Sequence, residues 1–228
     1  MAIALESRPL TLRQTFSFYV SGKDPDRIRA CAEQADAVVV AGGSGPASVR
    51  RLRTVGWAGA VLFDRGEYAH HGLELDPLRW FDDQRGAGAD RILTPGHWVG
   101  SEPDHPPFAE QIEDEMKLAQ MHDATCLLAI DYRWLTRSAQ NDEMLLAFQE
   151  FRSPVALVLG DRGDPLGHPG AVDALVAITR RDGVSVLRCD HGAIGALAFD
   201  AAHASIGLTT NHRHVVPPAV QAYGIPND

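Results

Sequence analysis

The chain has 228 residues, of which 45% are hydrophobic, and it carries a formal net charge of −9. This length and composition suit one α/β domain with a full hydrophobic core, and we expect residues 1–228 to form that single domain. The acidic balance argues against a nucleic-acid partner, because the neutralisation of phosphates needs a basic face. Residues 1–12 lack the apolar core of a signal peptide, and no run reaches the roughly 20 apolar residues of a membrane span. We therefore expect a cytoplasmic protein without a membrane partner.

Eight short apolar runs recur along the chain and predict eight β-strands. Each run is nearly continuous in aliphatic or β-branched residues, which is typical of parallel strands that are buried on both faces. Their starts lie about 20 to 35 residues apart, which is the length of one strand–helix unit. The predicted strands cover residues 16–20, 37–41, 60–64, 91–94, 125–131, 154–160, 184–189 and 205–208.

Stretches with helical signals lie between the predicted strands. The first has an Asp24 cap followed by Pro25 at the first helical position, and a later one ends before Gly183. Several others place apolar residues at helical spacing along one side. The predicted helices cover residues 25–34, 46–54, 78–87, 108–122, 141–151, 169–181 and 194–203.

The alternation of strands and helices predicts an α/β fold, a (β/α)₈ TIM-like barrel. An open doubly wound parallel sheet is the alternative. Residues 209–228 contain three prolines and do not resemble a regular eighth helix, so we expect an irregular C-terminal tail there. The groove of that helix would then be covered by the N-terminal segment, by a partner subunit, or by a further domain. A homo-oligomer is one form that such a partner could take.

The segment from the seventh to the eighth predicted strand is the strongest local motif. It has a strand, a Gly turn, an Ala-rich helix, a second strand and a Gly, and it resembles the final repeat of phosphate-binding (β/α)₈ barrels. The resemblance implies a phosphate cradle of backbone N–H groups at Gly192, Ala193, Gly207 and Leu208, with a charge-assisted contact from Arg213. The chain departs from that pattern at Ala193, where a second Gly is usual. The alternative is that these glycines only allow tight helix packing.

A Gly-rich loop at residues 42–45 follows the second predicted strand and precedes Pro46. It is a candidate for a second anion cradle at the start of a helix, or a flexible loop. It matches neither the P-loop pattern nor the dinucleotide-binding fingerprint.

Charged residues follow the predicted strands, and parallel strands would bring these ends to one face. The carboxylates are candidate acid–base or nucleophilic groups, and the guanidinium groups are candidate ligands for an anionic substrate. The alternative is a ring of ion pairs at the rim of the barrel. The catalytic candidates are Asp64, Asp131, Asp161 and Asp190, and the ligand-binding candidates are Arg65, Arg133, Arg162 and Arg188.

Two histidines are candidate general acids or bases, because His97 and His191 follow the fourth and seventh predicted strands. Together with His212 they could approach a metal, but no His-x-His follows the first strand and the three cysteines are widely spaced. We therefore predict no metal ligand and assign no cofactor, while a divalent metal and a flavin stay open. Cys189 lies between Arg188 and Asp190 and is either a buried packing residue or a nucleophile.

These features favour a barrel enzyme that acts on an anionic small molecule, either phosphorylated or nucleotide-like. The class of reaction stays open between lyase, isomerase, and glycosyl or base transfer or hydrolysis. The alternative is a non-catalytic barrel that serves as a binding or assembly subunit, because a fold alone does not decide function.

Overall fold

A computed structural model describes residues 15–66, 68, 76–151 and 153–218 of the chain. It contains eight β-strands that all pair in parallel. Their bounds are β1 Thr15–Ser21, β2 Ala37–Ala41, β3 Val61–Asp64, β4 His97–Val99, β5 Cys126–Asp131, β6 Val155–Gly160, β7 Val184–Cys189 and β8 His203–Gly207.

The strands form one curled sheet in the order β3-β2-β1-β8-β7-β6-β5-β4. The first and last strands are neighbours, with Thr15 opposite His203 and Tyr19 opposite Gly207. This is the order of a TIM barrel that is opened between β3 and β4, so the predicted barrel is confirmed. The doubly wound sheet is wrong, because that fold has a reversal in strand order and keeps its first and last strands apart.

The edges of the sheet approach each other at the N-terminal end of the strands. The Asp90 N–H donates to the Val61 carbonyl at 2.9 Å, and the Val61 N–H donates to the Asp90 carboxylate at 2.6 Å. Inside the barrel, side chains from both edges pack in one apolar cluster that includes Leu62, Leu93 and Leu127. The barrel interior is therefore a packed core and not a channel.

Helices cover the outside of the barrel, where alternate strand residues pack against them in two further apolar clusters. Asp24 caps the first helix by accepting the Arg27 N–H at 3.0 Å, as the sequence predicts. The helices are α1 Pro25–Ala32, α2 Gly45–Thr54, α3 Pro77–Gly86, α4 Phe108–Met121, α5 Arg133–Thr136, α6 Ser138–Glu150, α7 Ala171–Thr179 and α8 Gly192–Ala198.

The fourth strand is the main error in the predicted elements. Residues 91–94 contribute only one bridge, between Leu93 and Thr125, and β4 forms later at His97–Val99. Pro95 has no N–H for the ladder, and Gly96 takes a φ of +96°, so the chain turns before it pairs again. The last helix also ends earlier than predicted, at Ala198, and β8 already begins at His203.

After β8 the chain crosses the C-terminal mouth of the barrel as residues 209–215, which we call the strap. It begins with a 3₁₀ turn at Thr210–His212 and ends at Val215, whose N–H donates to the Leu159 carbonyl at 3.1 Å. The Val215 carbonyl in turn accepts the Asp161 N–H at 2.9 Å. The Val215 side chain is 1% exposed and belongs to the interior cluster. The strap is thus part of the barrel top, while residues 219–228 of the predicted tail lie outside the described residues.

Candidate active site at the mouth of the barrel

Two of the predicted aspartates point into the mouth. Side chains alternate between the two faces of a strand, so Asp64 and Asp131 share the inward face with Leu62 and Ala129. Both carboxylates are fully buried, with 0% exposure. Because the strands are parallel, these carboxylates lie at the same end of the barrel.

Arg188 enters the mouth because β7 is irregular there. The pairing of β7 with β8 shifts register between Val186 and Cys189, and Arg188 has a φ of +52°. A non-glycine residue seldom takes this conformation, and bulges of this kind redirect side chains beside functional sites. The guanidinium lies 5.8 Å from the Tyr19 ring and 6.0 Å from the Tyr68 ring. The regular alternation of a strand would not have aimed it there.

Asp64 holds two phenols in front of this guanidinium. Its Oδ2 accepts the hydroxyls of Tyr19 and Tyr68, each at 2.6 Å, and its Oδ1 accepts the Gly66 N–H at 2.8 Å. Tyr68 also accepts a hydrogen bond from Arg188 Nη1 at 3.3 Å. Burial, followed by the charge of Asp64, raises the pKa of both phenols, so both stay protonated and donate. Asp64 is therefore engaged as an acceptor that positions Tyr68 and Arg188.

The strap places a carbonyl group and an imidazole ring beside Arg188. Arg188 Nη2 donates to the Asn211 carbonyl at 2.6 Å, and the His212 ring packs against Tyr19 with centroids 5.3 Å apart. Burial lowers the pKa of His212, and the Arg188 charge lowers it further. On this side of the mouth, three buried nitrogens have no hydrogen-bond partner among the described residues: Arg188 Nε, His212 Nδ1 and Arg213 Nε.

Asp131 lies on the β4–β5 side of the mouth in a second polar network. Its Oδ1 accepts the Arg133 N–H at 2.9 Å and Arg133 Nε at 3.1 Å, and Arg133 Nη2 reaches Glu102 at 3.1 Å. No N–H group in the described part of the chain donates to the other, buried oxygen, Oδ2, and the nearby Ser101 hydroxyl lowers the pKa of the carboxyl as a hydrogen-bond donor. Burial raises the pKa of Asp131, although its bonds to Arg133 oppose the rise. Asp131 is the mouth carboxylate whose free oxygen suits proton transfer.

Asp161 forms a pair with His168 after β6. His168 Nε2 lies 2.8 Å from Asp161 Oδ2, and the imidazole stacks on Tyr132 with centroids 4.0 Å apart. The carboxylate fixes the orientation of the ring and the tyrosine holds its plane. A carboxylate-oriented histidine is a common general base or acid.

The predicted phosphate cradle comes together only in part. The Ala193 N–H donates to the Asp190 carbonyl at 3.0 Å, and the Leu208 N–H donates to the Tyr19 carbonyl at 3.2 Å. The strap covers Gly207 so closely that a Cβ there would overlap the His212 carbonyl. Among the predicted ligand-binding residues that the structure describes, Arg213 and Arg188 each have a buried Nε without a hydrogen-bond partner.

The other candidates lie at the rim or outside the mouth. Asp190 pairs with the exposed His191 at 2.8 Å and with Arg213 at 3.7 Å. His97 is on the outer face of β4, where burial lowers its pKa and the negative charges of Glu115 and Asp114 in α4 oppose that shift. Arg65 lies 5.7 Å from the Trp80 ring of α3, and Arg162 is exposed after β6.

Burial bears on the role of Cys189, and backbone hydrogen bonds bear on the role of the Gly-rich loop at residues 42–45. Burial raises the pKa of the Cys189 thiol to about 12, which favours packing over a nucleophilic role. In the Gly-rich loop after β2, the Gly42 N–H donates to the Asp64 carbonyl at 2.8 Å and the Gly45 N–H donates to the Gly42 carbonyl at 2.9 Å. Two backbone N–H groups of that loop are therefore already hydrogen-bonded within the protein and do not point to an anion.

Sequence reasoning missed His168, Tyr19 and Tyr68, and it considered His212 only as a metal ligand. His168 carried one usable signal, because it lies in the loop after β6 and therefore on the catalytic rim of a barrel. Within the described ranges, no three His, Cys, Asp or Glu side chains gather in a group that could hold a metal ion. No helix in the same ranges is long and apolar enough to cross a membrane.

No protein family model matches the sequence, and no curated protein matches it. The solved structures with a similar shape include tryptophan synthase from Pyrococcus furiosus, at 13% identity and a TM-score of 0.49 over 86% of this chain and 87% of that chain. Phosphoribosyl anthranilate isomerase from Thermococcus kodakaraensis has 13% identity and a TM-score of 0.49 over 89% of this chain and 93% of that chain. Tryptophan synthase from M. tuberculosis has 14% identity and a TM-score of 0.47 over 86% and 84% of the two chains. The barrel assignment therefore rests on the strand order of this chain itself.

Proposed function

We propose that this chain is a barrel enzyme that binds the phosphate group of a small phosphorylated molecule beside β7, β8 and the strap. The observation that carries the proposal is the set of three buried nitrogens without acceptors on Arg188, His212 and Arg213. A buried donor that lacks an acceptor costs about 1–3 kcal/mol, so such groups call for a partner. Phosphate oxygens are acceptors with the charge that two guanidinium groups favour.

The binding groups are held in place by bonds that do not use these nitrogens. Arg188 is fixed by Tyr68 and Asn211 through its Nη atoms, which leaves Nε for a ligand. Arg188 keeps its charge, because the hydrogen bond to Tyr68 and the negative charge of Asp64 offset the cost of its burial. This arrangement resembles a preorganised anion site, in which the positive charge is positioned before the ligand arrives.

In this proposal, proton transfer falls to the groups on β5 and β6. The Asp161 N–H donates a hydrogen bond to the Val215 carbonyl, and Val215 lies two residues after Arg213 in the strap. The Asp161–His168 pair therefore lies next to the strap segment that carries the proposed anion site. His168 acts as the general acid or base and Asp161 orients it. Asp131 is the second carboxylate, and its unpaired Oδ2 is its reactive atom.

A non-catalytic binding barrel is the second candidate. It is favoured by the strap, which fills the top of the barrel with the buried Val215 side chain. In that case the anion would bind, but no bound compound would be converted.

Titration with inorganic phosphate tests the anion site. We expect phosphate to raise the melting temperature of the wild-type protein, and we expect Arg213→Met to weaken phosphate binding by about tenfold to a hundredfold, because one charge-assisted contact is lost. Arg51→Met, at an exposed position of α2, is the matched control and should bind as the wild type does. Equal phosphate affinity in both variants would refute the anion site.

A screen of phosphorylated small molecules tests the catalytic half. His168→Gln should keep the affinity for the compound that binds best while its conversion falls by about 100-fold, since one general acid or base contributes roughly that much. Binding without conversion in the wild-type protein would favour the second candidate.

A further inference from the structure

A cavity of about 420 Å³ lies at the rim of the mouth, on the far side from the anion site. It is situated between the loop that follows β4 and the beginning of α6. Its polar lining comes from both elements, and its volume falls in the range of small-molecule sites. The side chains that carry the argument are Ser101, Glu102, His105, Trp134, Gln140 and Glu143.

The cavity contains polar atoms that accept hydrogen bonds but have no donor. Ser101 lines the cavity with 2% exposure, and its Oγ has no hydrogen-bond partner among the residues described. Gln140 donates its Nε2 to the Ser101 carbonyl at 3.2 Å, which fixes the amide and leaves Oε1 buried without a donor. The Ser101 hydroxyl is close enough to Asp131 to lower the pKa of that carboxyl by hydrogen bonding, so its proton faces the carboxylate and the lone pairs of Oγ are left to accept. A ligand for this place must bring donors.

The charge around the cavity is negative. Three carboxylates, Glu102, Glu143 and Asp131, are accompanied by the guanidinium of Arg133 and by the His105 ring, whose Nδ1 lies 3.4 Å from Glu102 Oε2. Glu102 accepts Arg133 Nη2 at 3.1 Å and the Ser101 N–H at 3.1 Å, and Glu143 accepts the Phe108 N–H at 2.5 Å. A cation is therefore favoured over an anion, and also over a neutral molecule of the same shape.

We propose that this cavity binds a small organic amine, with its ammonium group donating to Gln140 Oε1 and Ser101 Oγ. An ammonium has three N–H donors and no acceptor, which fits unpaired oxygen atoms. The walls also include Pro103, Pro106 and Pro107 together with the Trp134 ring, and these apolar surfaces suit a short hydrocarbon chain. A bare metal ion is too small for the volume and would not use such walls. The amine site shares no nitrogen with the proposed anion site, so phosphate binding and amine binding can each fail without the other. Asp131 belongs both to the proposed proton-transfer groups and to the charge around the cavity.

Titration with butylamine hydrochloride, followed by amide NMR of the wild-type protein, tests the proposal. Butanol and butyrate are the matched probes, because they keep the hydrocarbon chain and change the charge. We expect saturable shifts with butylamine at the amides of residues 100–105 and 140–143, and at least about tenfold weaker binding of the other two probes, since an uncharged or negative group loses the charge-assisted bonds. Equal binding of the three probes, or shifts located elsewhere, would overturn the proposal.

Two variants assign the binding to the named atoms. Gln140→Met and Ser101→Ala should each weaken butylamine binding by about tenfold, which is the effect of one lost hydrogen bond to a charged group. Gln149→Met carries the same substitution at an exposed position of the same helix and should bind as the wild type does. The proposal is wrong if the Gln140 and Gln149 variants bind butylamine equally, provided that circular dichroism shows both to be folded.

Discussion

The two sides of the barrel mouth differ in the kind of buried polar atom that has no hydrogen-bond partner in the described part of the chain. On the side of β7, β8 and the strap, the unpaired atoms are nitrogens of Arg188, His212 and Arg213. On the side of β4, β5 and α6, they are oxygens of Ser101, Asp131 and Gln140. In our proposals these atoms mark two subsites of opposite charge preference in one mouth, one for a phosphate group and one for an ammonium group.

The largest expected effect comes from Gly207→Ala, which should disturb only the nitrogen side. A Cβ at this position would overlap the His212 carbonyl, so the strap must move or the backbone must strain. We expect the free energy of unfolding in urea to fall by about 3 kcal/mol. Binding of sulfate, used as an analogue of phosphate, should be lost, and binding of butylamine should be retained.

Gly195→Ala is the control for that substitution, because a Cβ there has no atom within 4 Å. It lies in α8, where alanine favours the helix, so stability should rise by up to about 1 kcal/mol. If the Gly207 variant is as stable as the Gly195 variant, the strap is not packed on β8 as described.

A smaller effect is expected from Asp131→Asn on the oxygen side. Burial disfavours the charged form of Asp131, so replacing it with a neutral side chain should raise the free energy of unfolding by about 1 kcal/mol. The same variant should bind butylamine about tenfold more weakly and sulfate unchanged.

Asp190→Asn provides the matched change on the nitrogen side. Its side chain is 43% exposed and pairs with Arg213 at 3.7 Å, so stability should change by less than about 0.5 kcal/mol. Amine affinity should stay the same. A loss of amine affinity as large as that in the Asp131 variant would contradict the separation of the two subsites.

The smallest effect is a pair of opposite pH dependences. Because the pKa of His212 is lowered, the imidazole is neutral near pH 7. A bound anion favours the protonated imidazole, so sulfate binding should tighten as the pH falls from 7 towards 5. The raised pKa of Asp131 means that it gains its proton early as the pH falls, so amine binding should weaken. We expect changes of about threefold between pH 7 and pH 5 in calorimetric titrations, since each depends on one proton.

The pKa values of His212 and Asp131 also depend on the charged side chains around them. His212 is influenced by Arg188, Asp64 and Arg27, and Asp131 by Arg133 and Glu102. His212→Gln should flatten the sulfate profile and Asp131→Asn the amine profile. Profiles that remain unchanged in these variants would assign the pH dependence to other groups.

The sequence was sufficient for the barrel because strand and helix periods are local properties. Seven of the eight predicted strands overlap strands of the sheet, and the exception is residues 91–94, which are apolar like a strand but are followed by Pro95 and Gly96. The pattern could not show that pairing would resume only after this turn. Predicted helix ends were displaced for similar reasons, because caps depend on packing as well as on residue type.

The site was less accessible to prediction because its geometry depends on irregular backbone. The inward direction of Asp64 and Asp131 follows from strand alternation, and the sequence predicts both at strand ends. The direction of Arg188 depends on the bulge in β7, and the pairing of His168 with Asp161 depends on a loop that folds back on its own strand. Whether a polar atom is paired is a property of the assembled structure and of no single segment.

The route of the strap has a consequence for how the chain folds during synthesis. Val215 makes its backbone bonds to Leu159 and Asp161, which leave the ribosome more than 50 residues earlier. The sheet can assemble from its N-terminal strands onward, but the top of the barrel stays open until this last contact is translated. Residues of the proposed phosphate subsite are therefore translated last, after those of the opposite rim.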